Sequence, residues 1–386
     1  MGRRHLTARE ARAIDRPPML ASLPPAKALF PYAETLLIAA AGGITFAAIG
    51  FPAGLISGSM LVTAAAALMG RPMKVPVPLA RVCFVLIGIL LGAVVTPETL
   101  RGIVTWPLSV ALLVVSAACM LIATTSYLRI VHRWDPLSAL LGASPGSMAQ
   151  VIALSAELGG NVRGIAIVQT MRVLVVTIGL PAGLATFGLA AGSVIAVREP
   201  AAGSSLAELA VLVVVSTALA VAMVRIKFPG GLLFGSMAGS AILHGTGLVH
   251  AVLPWWLGSA AVVVMGGLVG SRFANTSPRM VLEYFWAALG STVVAIAVAS
   301  CFVLIVTSLL PFRTADVVIA FAPGAQDTMM VLALALQLDP VYVGAHHLMR
   351  YLVVTFSVAL AARRMMRRKL KPHERWQRPG QGTFDD

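Results

Sequence analysis

Apolar runs of about 20 residues recur along the chain, from about residue 34 to residue 362. A helix of that length crosses the hydrocarbon core of a bilayer. Only 11% of the 386 residues are charged, whereas a soluble domain carries about 25%. The sequence therefore predicts an all-α polytopic membrane protein with about 10–12 membrane segments, and a soluble enzyme fits this composition poorly.

Several motifs occur twice at one spacing. "FPAGLISGSM" (51–60) and "FPGGLLFGSM" (228–237) are identical at seven of ten positions, at an offset of 177 residues. "TMRVLVVT" (170–177) and "LMRYLVVT" (348–355) match at six of eight positions, at an offset of 178. The same offset relates Gly88 to Gly266, Gly92 to Gly270, and Pro145-Gly146 to Pro323-Gly324. Shared register over this distance indicates a tandem duplication.

We predict membrane repeats over 33–197 and 206–362, joined by the polar linker 198–205. The flanking segments 1–32 and 363–386 are basic, and the net charge of the chain is +14. Basic flanks predict that both termini are cytoplasmic in a bacterial inner membrane, where they can also contact anionic lipids of the bilayer. The rival explanation is nucleic-acid binding, but the chain lacks a DNA-binding motif and zinc-ligand spacing.

The orientation of the two repeats follows from their short basic loops. "RPMK" (71–74) and "RIVHRW" (129–134) are cytoplasmic if the first helix starts inside. "RIK" (225–227) and "RFANTSPR" (272–279) are then cytoplasmic only if the second repeat begins outside. This favours inverted repeats, with a re-entrant interrupted segment or one short segment that does not span. If all six segments of each half span, the last two loops lie outside instead.

Each repeat contains a Pro-Gly pair inside an apolar segment. Proline removes a backbone donor and breaks the helix, and glycine allows close approach of a ligand. Free backbone groups are tolerated in a membrane only within protein or beside a wet cavity. Two breaks at repeat-related positions are typical of a transporter's central site, although a plain proline kink is the alternative. The predicted binding residues around the breaks are Ser144, Pro145, Gly146, Ser147, Gln150, Pro323, Gly324, Gln326, Asp327 and Thr328.

Ionisable groups within the apolar segments complete the predicted site, since such groups usually face the bundle interior. Asp327 is expected to hold a coupling proton or Na⁺, or else to cap the second half-helix. Arg172 and Arg350 are repeat mates that either contact an anion, pair with Asp327 or Glu157, or tie helices together.

His346 and His347 are candidates for a proton relay. Adjacent residues point in different directions on a helix, so the pair is not a ready metal site. Cys83, Cys119 and Cys301 are scattered singly, which indicates neither a disulfide framework nor a metal cluster. No cofactor and no metal are predicted.

The glycines of the repeated motifs are expected to be close-packing points between helices. They are Gly54, Gly58, Gly88, Gly92, Gly231, Gly235, Gly266 and Gly270.

The repeated pattern "FPxGLxxGSM … G-x3-G … PG … MRxLVVT" resembles the AbrB-type membrane proteins of Gram-negative bacteria, a duplicated family also labelled ammonia monooxygenase. The resemblance covers about residues 33–362. The family resembles the cation:proton antiporter/anion transporter superfamily, which implies inverted repeats with crossed broken helices. The shared landmarks are Pro145-Gly146, Pro323-Gly324, Gln326, Asp327, Arg172 and Arg350, and the resemblance assigns them no roles.

The monooxygenase label implies copper, which needs a cluster of His or carboxylate ligands. The seven histidines supply no convincing set, because only His346 and His347 lie near a broken segment. We therefore expect a secondary transporter of a small polar or charged solute, driven by an ion gradient, rather than an enzyme. The alternatives are an uncoupled channel or exporter, a membrane protein with an indirect role in gene regulation and, last, the copper enzyme. Whether two copies form a homodimer is left open.

Overall fold

The computed structural model describes residues 26–95, 103–144, 148–189 and 205–374, and the regular structure within these ranges is entirely helical. Pro145, Gly146, Ser147 and most of the predicted linker lie outside the described residues. The helices of the first half are α1 (Ala26–Ala48), α2 (Gly54–Leu68), α3 (Val77–Gly92), α4 (Pro107–Ile130), α5 (Pro136–Ala143), α6 (Met148–Leu158) and α7 (Val162–Thr186).

The second half has helices in the same order. They are α8 (Leu206–Arg225), α9 (Gly231–Gly245), α10 (Trp255–Gly270), α11 (Pro278–Leu309), α12 (Thr314–Phe321), α13 (Gln326–Ala335) and α14 (Pro340–Glu374). Short 3₁₀ helices lie at Ile103–Thr105 and Ser271–Phe273. Helices α2 and α9 both have 15 residues, α3 and α10 both have 16, and α5 and α12 both have 8.

Seven helices of the described chain are long and apolar enough to cross a membrane. They are α1, α4, α7, α8, α10 with the 3₁₀ turn that follows it, α11 and α14. Helices α2, α3 and α9 are shorter, and each interrupted segment is a pair of short helices. Over its described residues the chain is thus an all-helical membrane protein, as predicted, in which helices long enough to span a membrane are mixed with shorter ones.

Two helix ends differ from the predicted segment boundaries. Helix α1 begins at Ala26, before the predicted boundary at residue 33, and contains Pro31. Helix α14 continues beyond Ala362 to Glu374, because "ARRMMRRKLK" consists largely of good helix formers that carry the last transmembrane helix past the apolar run. The hydrophobic pattern therefore predicts where a helix can leave the membrane, but it does not predict the residue at which the helix ends.

The two halves pack against each other through four helices of 15 or 16 residues. Helix α2 packs on α10, and α9 packs on α3, while α1 and α8 flank α2 and α9. At both crossings a glycine faces a serine of the other half: Gly266 faces Ser59, and Gly88 faces Ser236. A Cβ at either glycine would overlap the serine side chain and a backbone carbonyl, so these glycines do set the helix separation, as expected for packing points.

The largest buried cluster draws on both halves and surrounds the second interrupted segment. Phe321, Met329 and Met330 are fully buried there and pack with residues of α3, α9 and α10. Helix α12 ends at Phe321 and α13 begins at Gln326, so Pro323 and Gly324 lie between two helices in the middle of this core. In the first half, α5 ends at Ala143 and α6 begins at Met148.

Candidate functional site

A cavity of about 420 Å³ lies where the second break meets both halves of the chain. Its walls come from α3, α6, α7, α8, α9 and the turn after α10, and from Gly324–Asp327 and α14. The polar and charged side chains that line it are Gln169, Arg172, Arg272, Gln326, Asp327, His347, Arg350 and Tyr351. The cavity therefore brings together four residues of the predicted site, Arg172, Arg350, Gln326 and Asp327, with His347.

Arg172 binds backbone carbonyls at the C-terminal end of α5, the first short helix. Its side chain is buried, with Nη1 donating to the carbonyl of Ala143 and Nη2 to that of Ser144, both at 3.0 Å. These carbonyls stand at the C-terminus of α5, where four C=O groups lack helical partners and the helix dipole is negative. The guanidinium thus satisfies the backbone that the interruption exposes.

Arg350 does the same for the second short helix. Its Nη1 donates to the carbonyl of Ala322 and its Nη2 to that of Gly324 at 2.9 Å. Of the roles considered for the two arginines, the observed contacts are therefore those that tie helices together. Neither arginine forms an ion pair with Asp327 or Glu157 within the described ranges.

Gln169 and His347 stand one helical turn before the arginines and are also repeat mates. Gln169 Nε2 donates to the carbonyl of Leu141, and His347 Nε2 donates to that of Ile319, both at 2.9 Å. With Nε2 acting as donor, His347 Nδ1 accepts a hydrogen bond of 2.6 Å from Arg350 Nη2. The ring is thus bound in its neutral form, and both nitrogens are occupied.

His346 belongs to a different polar network. It is fully buried, its Nδ1 contacts the Tyr342 carbonyl at 2.7 Å, and its Nε2 contacts Ser109 Oγ at 2.7 Å. Ser109 Oγ also contacts the Tyr342 hydroxyl at 2.6 Å. The two adjacent histidines therefore point in different directions from α14, and of the two it is His347 that lines the cavity.

Asp327 lies at the second position of α13 and reaches the cavity. It does not cap this helix, because the N-cap residue is Ala325 and no side chain makes a capping hydrogen bond. The charged group that attracts its carboxylate is Arg272. Asp327 and Arg272 are farther apart than a direct ion pair, so the cavity separates two opposite charges that interact across it.

Arg272 was not among the predicted site residues. The charge pattern places it with Arg279 in an exposed basic loop, but only Arg279 is exposed. The 3₁₀ turn Ser271–Phe273 continues α10 and keeps Arg272 half-buried at the cavity wall. A comparison of the two repeats could have identified Arg272. When "GILLGAVV" (88–95) is aligned with "GGLVGSRF" (266–273), Arg272 stands where the first half has Val94.

The other predicted residues of the second break line or border the cavity. Gln326 lines it, and its side-chain nitrogen lies close to Gly230, which has a left-handed φ of 67° at the start of α9. Gly324 lines it as well, while Pro323 is buried beside it. Thr328 is buried, and its hydroxyl has no hydrogen-bond partner.

The predicted residues of the first break are less central. Ser144 is buried and offers its carbonyl to Arg172, and Gln150 lines a separate pocket of about 310 Å³ together with Ser144 and Glu157. Tyr351 connects the main cavity with this pocket. It lines the main cavity, and its hydroxyl donates to Gln150 Oε1 at 2.9 Å. Pro145, Gly146 and Ser147 lie outside the described residues.

Within the described ranges, no three His, Cys, Asp or Glu side chains are close enough together to hold a metal ion. The site is instead a polar space rich in arginine, built on helix ends inside an apolar bundle.

The fold and the cavity define the class: a polytopic helical membrane protein with an arginine-rich cavity at an interrupted helix. The family model described as Transition state regulatory protein AbrB matches residues 55–366, so the chain belongs to the AbrB family.

Two relatives support this membership. A Bacillus subtilis (strain 168) protein named "Uncharacterized protein YhjN" is 24% identical over 341 residues, covering 83% of this chain and 89% of the relative. An Escherichia coli (strain K12) protein named "Putative regulator AbrB" is 24% identical over 330 residues, covering 83% of this chain and 92% of the relative.

Proposed function

We propose that the protein is a secondary transporter of the bacterial inner membrane that moves a small polar or charged solute. The observation that carries this proposal is the position of the cavity. It lies at the interruption between α12 and α13, and it is walled by side chains from both halves. Irregular backbone at membrane depth is tolerated beside such a cavity, and solute sites in transporters are built in this way.

The pairing of the halves supports alternating access. The motifs recur at an offset of 177 or 178 residues, the repeat-related arginines make similar contacts, and the halves pack together through α2 with α10 and α9 with α3. In our proposal the repeats are inverted, and one group of helices rocks against the other around the cavity. Both termini are then cytoplasmic, and the coupling ion binds at Asp327.

Reconstitution into proteoliposomes tests the proposal. Vesicles carrying an imposed pH or Na⁺ gradient are incubated with a defined mixture of small carboxylates, amino acids, amines and sugars, and the solutes inside are measured by mass spectrometry. We expect at least one solute to accumulate above its external concentration. Equilibration without accumulation would indicate a channel, and no entry at all would contradict transport.

Asp327→Asn is the informative variant. It removes the charge at nearly constant shape, so we expect gradient-driven accumulation to be lost while the protein remains folded. Glu157→Gln is the matched control, because Glu157 is exposed and lines only the neighbouring pocket. Equal activity of both variants would remove Asp327 from the coupling mechanism.

The second candidate function is an indirect role in gene regulation. It is favoured by the description of the family as a transition state regulatory protein and by the name of the Escherichia coli relative. Under this hypothesis the regulatory effect is a consequence of solute movement through the same cavity. Asp327→Asn should then change both solute accumulation and the regulated output, whereas a direct regulator would keep its output.

A further inference from the structure

We infer that the cavity binds a small monocarboxylate together with a proton. Asp327 takes up the proton, and the carboxylate of the solute then replaces the Asp327 carboxylate as the negative charge near Arg272. This inference rests on the proposed function and specifies its substrate class.

The charge of the lining is the first step. Among the residues that the structure describes, three arginines and one carboxylate line the cavity, with no lysine and no second acidic residue. His347 is held neutral because its Nδ1 accepts from Arg350. A positive excess in a partly buried, partly apolar space favours an anion and disfavours a cation.

The second step separates the arginines by their contacts. The Nη groups of Arg172 and Arg350 are bound to helix-end carbonyls, so these side chains are held in place. Arg272 makes no hydrogen bond or ion pair within the described ranges, and Asp327 is its charged neighbour. Its guanidinium can therefore turn to a ligand, and its planar fork matches a carboxylate.

Two further groups at the cavity lack partners. Arg172 Nε is buried and makes no hydrogen bond to a described residue, and the N-cap residue of α13, Ala325, makes no side-chain capping hydrogen bond. A buried donor without an acceptor is unfavourable, and an uncapped helix N-terminus has a partial positive charge, so both features favour a bound acceptor. An anion in the cavity would accept from these donors while it neutralises Arg272.

The third step is the conservation of charge. When the cavity is empty, the Asp327 carboxylate balances one arginine. When Asp327 takes up a proton, Arg272 loses the negative charge of its neighbour, and a monoanion replaces that charge. The empty and loaded cavities then have the same net charge, which avoids burying an extra charge in either state. A dianion such as phosphate would not give this balance.

The direction of the pH dependence follows. The other titratable and charged groups facing Asp327 across the cavity are Arg172, Arg272, His347, Arg350 and Tyr351. The arginines stay charged over about pH 6–8. Protonation of Asp327 as the pH falls should therefore tighten binding of the anion.

Ligand-induced stabilisation of the detergent-purified protein tests this inference. The probes are monocarboxylates of two to six carbons, their amides, inorganic phosphate and sodium chloride, at about pH 6 and pH 8, where the carboxylates are ionised. We expect at least one monocarboxylate to raise the unfolding temperature, more strongly at the lower pH, and its amide to have no effect. Stabilisation by none of the monocarboxylates, or equal stabilisation by the amides, overturns the inference.

Two variants and a control assign the roles. We expect Arg272→Gln to weaken binding at least about tenfold, a loss of about 1.4 kcal/mol, while Arg279→Gln, at an exposed position, binds as the wild type does. Asp327→Asn mimics the protonated residue, so it should bind equally well at both pH values. Wild-type affinity in Arg272→Gln, or unchanged pH dependence in Asp327→Asn, contradicts the exchange.

The outcomes distinguish this inference from the proposed function. Gradient-driven accumulation of a cation or a neutral solute would agree with the proposed transporter function but exclude the anion site. Carboxylate binding without accumulation under any gradient would support the anion site and exclude transport.

Discussion

The two interrupted segments share their supports but differ in their chemistry. Arg172 and Arg350 bind the carbonyls at the end of the short helix in their own half, and Gln169 and His347 reinforce the same ends. Beyond these shared arginines, the described residues that add charge at the cavity are Arg272 and Asp327, both in the second half. What the halves share therefore maintains the breaks, and what differs between them supplies the chemistry of the site.

The residues that differ between the halves can be compared position by position. Asp327 corresponds to Ala149, Gln326 to Met148, and Arg272 to Val94. In each pair the first half has an apolar residue and the second half a polar or charged one. The opposite charges of Arg272 and Asp327 occur in the same half, which is expected if each makes the other tolerable in an apolar bundle.

The largest effect should come from removing the shared arginines. We expect Arg172→Ala and Arg350→Ala each to reduce the free energy of unfolding by about 3–5 kcal/mol, because each leaves two buried carbonyls unpaired and loses a buried side chain. Unfolding in mixed detergent micelles measures this. Arg279→Ala is the control, and its exposed side chain should cost less than about 0.5 kcal/mol.

The alternative assignment of the arginines makes the opposite prediction. If they are chiefly substrate contacts, the alanine variants will keep wild-type stability and lose ligand binding. A large effect in one half and none in the other would show that the two breaks are not supported equally.

The sequence predicted the shared features better than the unshared ones. Repetition identified Arg172 and Arg350 as equivalents and placed Pro323-Gly324 at a point where two helices meet, because proline and glycine act locally on the backbone. Arg272 could not be placed in this way, since its position depends on how a single 3₁₀ turn follows α10. Gln150 was assigned to the main site, yet it reaches that site only through Tyr351.

The hydrogen-bonding roles of the arginines also needed the structure. From the sequence, an arginine at membrane depth has several candidate partners, including Asp327 and Glu157. Backbone carbonyls carry no sequence signal, so the actual partners, such as Ala143 and Ala322, could not be read from side-chain types.

The next largest effect concerns Gln169 and His347, which lie one helical turn before the two shared arginines. His347→Gln installs the residue of the first half, which can still donate to the Ile319 carbonyl, so we expect a loss of stability below about 1 kcal/mol and unchanged solute uptake. His347→Leu cannot donate and should cost about 1–3 kcal/mol. Gln169→Leu is the matched variant in the first half and should cost a similar amount.

The same variant tests the proton relay predicted for His346 and His347. A relay needs the imidazole ring to exchange a proton, and glutamine cannot do so. If His347→Gln folds normally and abolishes the pH dependence of uptake, the ring has a transport role in addition to its contact with Ile319.

The smallest effect should come from two hydroxyls at the crossings of the halves. Ser240 on α9 donates to the Ile89 carbonyl at 2.7 Å, but its repeat mate Thr63 on α2 is fully buried and its hydroxyl has no partner. Ser240→Ala should cost about 0.5–1.5 kcal/mol, because it leaves that carbonyl without this donor. Thr63→Val keeps the shape and removes an unpaired polar group, so it should be neutral or stabilising by up to about 1 kcal/mol. The free energies of unfolding of the two variants, measured under the same conditions, test this difference. Equal destabilisation would mean that the Thr63 hydroxyl also has a hydrogen-bond partner. The two helix crossings would then be more alike than the hydrogen bonds of Ser240 and Thr63 indicate.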